Sequence, residues 1–365
     1  MKVLQVISGR EINGALVYCR LLTQQLVDAG HDVTIICRRD SWILNQGLSV
    51  KIIESDMRRF PTSDLKQAAA LISASGFDVI HTHMSRAHSF GVLLRWLTGV
   101  PVVATAHNRY MQLHWKFNDF VIANSDATRD YHRKFNLVSR DRIETVHCFV
   151  DLKRFMSVGQ RERNYIRPEW RLTQGQFVIG VIGEVIARKG QLYLFEGLAE
   201  LTRRIPNLHV VLLGRFHRDD PYVRKLRQIQ IRNGLFGRVR WLGRRDNIHQ
   251  HMAGMDAVIV PSIEEPFGLV AVEAQAAGTP VIASATGGLP EIIQHERNGL
   301  LVPPANTRAL VDSICRLAED KGLANRLIQN GRHDAAQSFS PEKLTANVIS
   351  VYERITSRRF KSSAA

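Results

Sequence analysis

Short apolar strands alternate with helical stretches along most of this chain, and the alternation occurs in two series. The first series contains the strand-like runs "KVLQVIS", "DVTIIC", "DVIHTH", "VVATAH" and "FVIANS", separated by segments such as "LVYCRLLTQQLVDAG" that have helical spacing. The pattern stops near Phe155 and resumes with "FVIGVIG", "HVVLLG", "VRWLG", "AVIVPS" and "PVIAS". Continuous apolar strands separated by helices predict parallel sheets that are covered on both faces. We therefore expect an α/β protein built from two Rossmann-like, doubly wound domains.

The interruption sets the expected domain boundaries. A chain of 365 residues is longer than one hydrophobic core usually supports, so two domains are the prior expectation. We expect a first domain over residues 1–156, a polar linker over 157–176, a second domain over 177–345, and a helix with a basic tail over 346–365. Because ligands of open α/β sheets bind beyond the carboxyl ends of the strands, the loops at those ends should line a central cleft between the domains.

The charge of the chain points to an anionic partner. The net charge is +15 and the isoelectric point is near 10.1, values that suit nucleic acid, anionic lipid or a phosphorylated substrate. Residues 215–245 hold ten Lys and Arg against two Asp, with four aromatic residues spaced singly among them. This composition favours a basic surface over a platform for stacking bases, and with no recognition motif in the chain we expect no nucleic-acid partner.

Cysteine usage and hydropathy bear on the compartment. The four cysteines are Cys19, Cys37, Cys148 and Cys315, and they form no CxxC pair, which is typical of a reducing compartment. No segment approaches the roughly 20 apolar residues needed to span a bilayer. We expect a cytoplasmic protein, either free or peripheral at the inner face of the membrane.

Two carboxylates lie eight residues apart in "SIEEPFGLVAVEAQAAG", at Glu265 and Glu273. The run "DAVIVPS" before them predicts a strand, so Glu265 should lie in the loop at its carboxyl end. Pro266 suits the first turn of a helix that would end at Gly278. The amides of residues 267–269 would then make no hydrogen bond within the helix and would lie at the positive end of its dipole, where phosphate oxygens bind. Glu273 would lie about two turns into the helix, roughly 9 Å from its start.

A carboxylate at Glu273 could accept hydrogen bonds from two adjacent hydroxyls, as on a ribose. The alternative is that Glu264 and Glu265 merely favour a helix start and that Glu273 is solvated. Its neighbours Val272, Ala274 and Ala277 should be buried, and an unpaired carboxylate beside them would be costly. The pattern therefore favours a ligand-binding role.

The segment "GVIGEVIARKG" supplies cations after a predicted strand. Its glycines at 180, 183 and 190 lack the G-x-G-x-x-G spacing of dinucleotide-binding folds, which disfavours a dehydrogenase. Arg188 and Lys189 could neutralise a leaving diphosphate. The alternative is that both are ordinary surface cations.

Histidines cluster at predicted strand ends in the first domain. His81 and His83 would share a strand face, but no third metal ligand is apparent, and we expect neither a metal nor a cofactor. His107 follows "VVATA" and is a candidate catalytic residue, with a purely structural histidine as the alternative. Gly14 should open the first helix, either close to a ligand or simply as a turn glycine.

The stretch "EEPFGLVAVEAQAAGTPVIASATGGLPEII" followed by "NGLLVPP" resembles the donor site of family-four retaining glycosyltransferases, which have the glycosyltransferase B (GT-B) fold. This resemblance implies that a nucleotide-sugar donor binds mainly to the second domain. It implies catalytic roles for Glu265, Lys189 and His107, and donor-binding roles for Gly14, Arg188, Phe267, Gly268, Leu269, Val270 and Glu273. Two positions depart from the family: Glu184 stands where an arginine is common, and Asn13 replaces the first glycine of a pair.

The resemblance also implies the reaction. Such enzymes retain the anomeric configuration, need no metal, and take a nucleotide-diphosphate sugar as co-substrate, with a UDP-sugar favoured here. We expect a glycan or lipid-linked acceptor in cell-surface polysaccharide or lipopolysaccharide assembly. Basic residues of the first domain would bind this acceptor or an anionic membrane surface: Arg10, Arg86, Arg109, Arg129 and Arg133. The alternatives are a sugar-nucleotide epimerase, a phosphorylase with a pyridoxal-binding lysine, and a non-catalytic protein that binds an anionic polymer.

Overall fold

The computed structural model describes residues 1–57 and 62–363. The chain forms two compact units. The first unit is Met1–Val150 together with the chain from Pro341 onward, and the second unit is Asp151–Ser340.

The first unit contains a seven-stranded, all-parallel sheet in the order β3-β2-β1-β4-β5-β6-β7. Its strands are β1 Lys2–Ile7, β2 Asp32–Arg38, β3 Lys51–Ser55, β4 Val79–His83, β5 Val102–Ala106, β6 Phe120–Ala123 and β7 Ile143–Thr145. Its helices are α1 Gly14–Asp28, α2 Thr62–Ser75, α3 Ser85–Thr98, α4 Asp126–Phe135 and, at the end of the chain, α14 Pro341–Ser363. The strand order reverses between β1 and β4, which is where a doubly wound sheet opens a ligand-binding crevice.

The second unit contains a six-stranded, all-parallel sheet in the order β10-β9-β8-β11-β12-β13. Its strands are β8 Phe177–Ile182, β9 Leu208–Leu213, β10 Val239–Gly243, β11 Ala257–Val260, β12 Val281–Ser284 and β13 Leu300–Val302. Its helices are α5 Leu152–Met156, α6 Gln160–Glu169, α7 Gln191–Arg204, α8 Pro221–Arg232, α9 Ile248–Ala253, α10 Leu269–Ala277, α11 Leu289–Ile292, α12 Thr307–Glu319 and α13 Lys321–Ser338. Here the order reverses between β8 and β11. The expected class, α/β with two Rossmann-like parallel sheets, is confirmed.

The central strands are the ones that the sequence pattern predicts. Every residue of β4, β5, β6, β9, β11 and β12 is buried, because helices cover both faces of each sheet. The pattern misses β3, β7 and β13, which lie at sheet edges and have three to five residues each. An edge strand has one neighbour and tolerates polar residues, so its hydropathy signal is weak.

The segment 157–176 is not the open linker expected from its polar composition. It contains α6, which packs against α9 inside the second unit. Arg167 of this helix is fully buried and donates to the carbonyls of Gly254 and of residues 173, 174 and 176, and to Asp256. Trp170 is buried and stacks on His251. A charged residue can lie in a core when its nitrogen atoms are all hydrogen-bonded. A domain boundary drawn from polar composition alone does not take this into account.

The carboxyl-terminal helix α14 begins at Pro341 and belongs to the first unit, whereas the expected second domain extended to residue 345. It packs on α1 and β6, and Tyr352 is fully buried with its hydroxyl 2.5 Å from Nδ1 of His81. Within the described residues, no helix combines the length and the apolar character required to cross a bilayer.

Candidate active site

The loops that follow β8 and β11 pack against each other at the carboxyl end of the second sheet. The carbonyl of Arg188 accepts hydrogen bonds from the amides of Ile263 and Glu264, at 2.8 and 3.4 Å. Gly190 has a φ of +67°, and a Cβ there would lie 1.9 Å from the carbonyl oxygen of Pro261. Only glycine combines this backbone conformation with so close an approach, so Gly190 determines how the two loops meet.

This packing brings Lys189 to Glu265. Nζ of Lys189 donates to Oε2 of Glu265 at 2.6 Å, and the hydroxyl of Ser262 donates to the same oxygen at 3.0 Å. The Glu265 residue is 8% exposed, so its carboxylate is held in place by two donors in a largely buried position. Both side chains follow strands at the point where the sheet order reverses, the expected ligand-binding edge. The side chain of Arg188 is exposed beside this pair.

The helix after Glu265 starts later than the sequence indicates. Pro266 lies outside α10, which begins at Leu269 with Gly268 as its N-cap. Of the three amides expected in the first turn, only that of Leu269 lies there, followed by that of Val270; Gly268 is the N-cap and Phe267 is a buried loop residue. Glu273 consequently lies about 6 Å along the axis from Leu269, one turn into the helix and not two.

Close packing explains why glycine occupies positions 268 and 288 near the start of α10. Gly268 has a φ of +116°, and a Cβ there would lie 2.7 Å from the side chain of Leu289. A Cβ on Gly288 would lie 2.7 Å from the Cα of Phe267, and the Gly288 amide donates to the carbonyl of Glu265. The segment "TGGLPEII" is therefore the support on which the Glu265 loop rests.

Glu273 lies among apolar neighbours, as the sequence indicates. Val272, Ala274 and Ala277 are buried. Burial raises the pKa of Glu273 to about 7, and Arg154 acts in the opposite direction. A carboxyl group whose pKa lies so close to neutrality beside a helix start is typical of a ligand-binding site.

Glu184, which occupies the family's arginine position, is paired with Arg215. The Arg215 guanidinium lies 2.6 Å from Oε1 of Glu184. Arg215 follows the end of β9, the strand next to β8, so a guanidinium does reach this edge from a neighbouring loop. The sequence interpretation missed Arg215, although a cation directly after "HVVLLG" is a signal that could have identified it.

In the first unit, Gly14 opens α1 as expected. The side chain of Asn13 caps the helix by accepting from the amides of Ala15 and Leu16 at 3.0 and 3.1 Å. Gly14 and Asn13 are both exposed at the carboxyl end of β1. Asn13 therefore has a structural function that the glycine it replaces could not perform.

His107 directly follows β5 and is partly buried as a residue. Its Nε2 lies 3.2 Å from Nδ1 of His83, and its ring lies edge-on to Tyr18. Burial lowers the pKa of His107 to about 3, so the imidazole is neutral near pH 7. Both ring nitrogens of His81 are bonded, one to Tyr352 and the other to Thr105. Among the residues described, no group of three or more His, Cys, Asp or Glu side chains has an arrangement that could hold a metal ion.

The fold agrees with the comparisons to known protein families. The family model "Glycosyl transferases group 1" matches residues 162–334, and "Glycosyltransferase Family 4" matches residues 12–154. The chain belongs to this family and is a family-four glycosyltransferase with the GT-B fold.

Individual relatives agree with this assignment. A D-inositol 3-phosphate glycosyltransferase of Saccharomonospora viridis is 30% identical over 320 residues, which cover 80% of this chain and 73% of the relative. The crystal structure of Anabaena HepE in complex with UDP-glucose has a TM-score of 0.87 at 22% identity, covering 97% of this chain and 100% of that one. WaaG, a glycosyltransferase involved in lipopolysaccharide biosynthesis, has a TM-score of 0.74 at 16% identity, covering 94% of this chain and 98% of that one.

Proposed function

We propose that this glycosyltransferase moves a sugar, with retention of configuration and without a metal ion, from a nucleotide-diphosphate sugar to a glycan or lipid-linked acceptor. The observation that carries the proposal is the Lys189–Glu265 pair, at 2.6 Å, beside the start of α10. A cation, a carboxylate and free helix amides are the three kinds of group that donor cleavage requires.

The proposed mechanism follows from the charges. Breaking the bond between the sugar and the diphosphate leaves negative charge on the phosphate and positive charge on the sugar. Lys189, Arg188 and the amides of Leu269 and Val270 would stabilise the diphosphate, with Phe267 and Gly268 shaping the loop before the helix. Glu265 would lie beside the donor sugar, and Glu273 would bind the ribose. The acceptor hydroxyl would attack the donor sugar from the face that the diphosphate leaves, and the departing diphosphate would accept the proton of that hydroxyl.

In the first unit, Gly14 would approach the donor phosphate or the acceptor, and His107 would bind a hydroxyl of the reacting sugar or the acceptor. A neutral imidazole suits this role, because it can accept or donate a hydrogen bond without adding charge to the transition state.

A UDP-sugar is the favoured donor, since HepE is similar in fold and has been crystallised with UDP-glucose. The test is the thermal stability of the protein with a panel of nucleotide sugars and no added metal, followed by transfer assays with the sugar that binds. We expect stabilisation by one class of nucleotide sugar, loss of that effect in Glu273→Ala, and an unchanged anomeric configuration in the product. Failure of every nucleotide sugar to bind would refute the donor site, and an inverted product would refute retention.

The affinity for the donor should depend on pH through Glu273. Since the pKa of this carboxyl is about 7, it is largely protonated at pH 6 and ionised at pH 8, where it accepts ribose hydroxyls more strongly. We expect UDP-glucose to bind up to about tenfold more tightly at pH 8 than at pH 6. Isothermal titration calorimetry measures this, and UDP-glucose is preferred to UDP because its phosphates do not titrate in this range. Glu273→Gln should bind with nearly the same affinity at both pH values.

The first unit carries an exposed surface that combines apolar and basic side chains, here called the α3–α4 surface. Trp96 of α3 contacts Phe117 in the loop after β5, with 5.6 Å between ring centroids. Asn136, directly after α4, hydrogen-bonds to the backbone of Tyr110 and Gln112 in the same loop. The loop therefore packs against both α3 and the end of α4. The apolar residues exposed on this surface are Trp96, Leu97, Tyr110, Met111, Leu113, Phe117, Phe135 and Leu137. The exposed cations among them are Lys116, Lys134 and Arg140.

Aromatic and aliphatic side chains interspersed with cations are typical of proteins that bind at an anionic lipid interface. We therefore propose that the α3–α4 surface binds an anionic membrane, which would bring a lipid-linked acceptor to the enzyme. Leu113 is 78% exposed and Met111 is 74% exposed, so both can insert without a change of fold.

The membrane proposal predicts a loss of binding when apolar side chains are removed from this surface. The double variant Trp96→Ser with Leu113→Ser should lower partitioning onto vesicles containing phosphatidylglycerol by about tenfold or more, because each side chain contributes burial of apolar area. Cosedimentation with vesicles measures the effect, and vesicles of phosphatidylcholine alone should bind weakly. Phe236→Ser is the matched control, since Phe236 is 67% exposed but lies in the second unit. Equal loss in the control, or no binding by the wild type, would refute the proposal.

A sugar-nucleotide epimerase is the remaining alternative among related chemistries. It would convert the nucleotide sugar with no acceptor present, whereas the proposed transferase needs an acceptor for turnover. Incubation of the donor alone, followed by chromatography of the sugar nucleotides, separates the two functions.

A further inference from the structure

A chain of buried polar side chains runs from α1 to His107. Nε2 of Gln5 donates to the hydroxyl of Thr23 at 3.1 Å, and that hydroxyl donates to the backbone carbonyl of Cys19 at 2.9 Å. Oε1 of Gln5 lies 3.1 Å from Sγ of Cys19 and 3.0 Å from Nε2 of His83. Nδ1 of His83 lies 3.2 Å from Nε2 of His107. Gln5, Thr23, Cys19 and His83 are fully buried, so bonds to water do not compete with these contacts.

The direction of each hydrogen bond between these buried side chains follows from the Thr23 hydroxyl and the Gln5 amide. The hydroxyl of Thr23 has one hydrogen, which it donates to the Cys19 carbonyl, so it must accept from the nitrogen of Gln5. The oxygen of Gln5 therefore faces Cys19 and His83. An amide oxygen can only accept, so Cys19 supplies its thiol hydrogen and His83 supplies a hydrogen on Nε2. Burial raises the pKa of Cys19 well above its ordinary value, which keeps the thiol protonated.

The same reasoning determines which ring nitrogen carries the hydrogen in His83 and in His107. Burial lowers the pKa of His83 well below its ordinary value and that of His107 to about 3, so each ring is neutral and carries one hydrogen. With its hydrogen on Nε2, His83 has an unprotonated Nδ1. That atom can only accept a hydrogen bond, so Nε2 of His107 must be the protonated donor. Because a neutral ring carries one hydrogen, Nδ1 of His107 is then unprotonated as well.

We propose that Gln5 and His83 are positioning residues that hold His107 as its Nε2–H tautomer, so that Nδ1 of His107 accepts a hydrogen bond from a substrate hydroxyl. The part of this inference that concerns the substrate rests on the proposed function, whereas the tautomer itself does not. The opposite tautomer would require the Gln5 amide to turn over, which would place an N–H group against the thiol and move the Thr23 hydrogen away from the Cys19 carbonyl. A sugar hydroxyl that donates to Nδ1 is held in a fixed orientation, and its oxygen becomes a better hydrogen-bond acceptor.

The test is nuclear magnetic resonance of the whole protein labelled with nitrogen-15 histidine. Long-range nitrogen–proton correlations distinguish Nε2–H from Nδ1–H imidazoles, and a His107→Gln sample assigns the His107 signals. We expect both His83 and His107 to be neutral Nε2–H tautomers from pH 6 to 8. The tautomers are read in the wild-type protein, and His107→Gln serves only to assign signals, so the result itself does not depend on the stability of a variant. Nδ1–H signals for His107 in the wild-type protein would overturn the proposal.

A variant of Gln5 tests the cause. Gln5→Met keeps the length of the side chain but removes the acceptor of His83, so we expect His107 to become a mixture of both tautomers. Tyr352→Phe is the matched control, because it removes one buried partner of His81 without touching the chain from Gln5 to His107. A pure Nε2–H signal for His107 in folded Gln5→Met would overturn the positioning role.

Activity separates this inference from the proposed function. We expect Gln5→Met to lower kcat by about tenfold, the effect of about one neutral hydrogen bond in the transition state, with little change in KM for the nucleotide sugar. If the tautomers behave as expected but His107→Gln transfers sugar at the wild-type rate, the positioning inference stands and the proposed role of His107 fails. A Gln5→Met enzyme with the expected mixture of tautomers and a lowered kcat supports both.

Discussion

Replacing Lys189 by alanine is expected to lower kcat for sugar transfer by about 10²–10³-fold, because it removes a preorganised cation from the developing charge on the leaving diphosphate. The side chain lies 2.6 Å from Glu265 and is 18% exposed, so bulk water screens it little. Steady-state kinetics with the donor that binds measures the effect, which should exceed any change in KM.

Two further variants distinguish catalysis from folding at this position. Lys189→Gln keeps a hydrogen-bond donor toward Glu265 but removes the charge, so we expect nearly the same loss of kcat with a smaller loss of stability. Arg308→Ala removes a cation that is 94% exposed in the same unit and should leave kcat unchanged. An Lys189→Gln enzyme with wild-type kcat would show that charge on Lys189 does not stabilise the transition state.

Replacing Arg167 by leucine is expected to destabilise the second unit by about 3–5 kcal/mol, because it takes the buried guanidinium from its ion pair with Asp256 and leaves several buried carbonyls without their donor. Arg167 is fully buried, with Nη2 2.6 Å from Oδ2 of Asp256 and Nε 2.9 Å from the carbonyl of Gly254. Chemical denaturation, followed by the fluorescence of buried tryptophans, measures the change.

Arg163→Leu is the matched control for this prediction. Arg163 donates to the other carboxylate oxygen of Asp256, and after its removal Asp256 still accepts from Arg167 and from the amide of Val178. The expected loss is therefore smaller, about 1.5–3 kcal/mol for one hydrogen bond to a charged group. Equal effects of the two variants would contradict the idea that Arg167 organises this core.

The central part of both sheets could be predicted because strands buried on both faces have continuous apolar sequences. "HVVLLG" and "AVIVPS" correspond to β9 and β11, and every residue of these strands is buried. The edge strand β13 is also apolar throughout, but a run of only three residues is too short to identify a strand. The start of α10 was also misjudged, because a proline before a helix commonly occupies its first turn, and here the φ of +116° at Gly268 delays the helix to Leu269.

The candidate site could be predicted only as separate loops. Strand ends identify Lys189 and Glu265 as residues at a ligand-binding edge, but they lie 76 positions apart and sequence spacing carries no distance between them. Their contact depends on β8 and β11 being neighbours and on Gly190 admitting the carbonyl of Pro261. The pairing of Glu184 with Arg215 depends in the same way on β9 lying beside β8.

The sequence by itself determined the class of fold, the strand ends where polar residues gather, and a resemblance specific enough to indicate the family. These follow from local hydropathy and short motifs, which neighbouring residues specify. Only the tertiary structure decided which loops meet, that helix α14 returns to the first unit, and that Gln5, a polar residue within a buried strand, faces His83. Such contacts join residues far apart in the chain, and the free energy that selects them comes from packing whole elements together and satisfying buried polar groups.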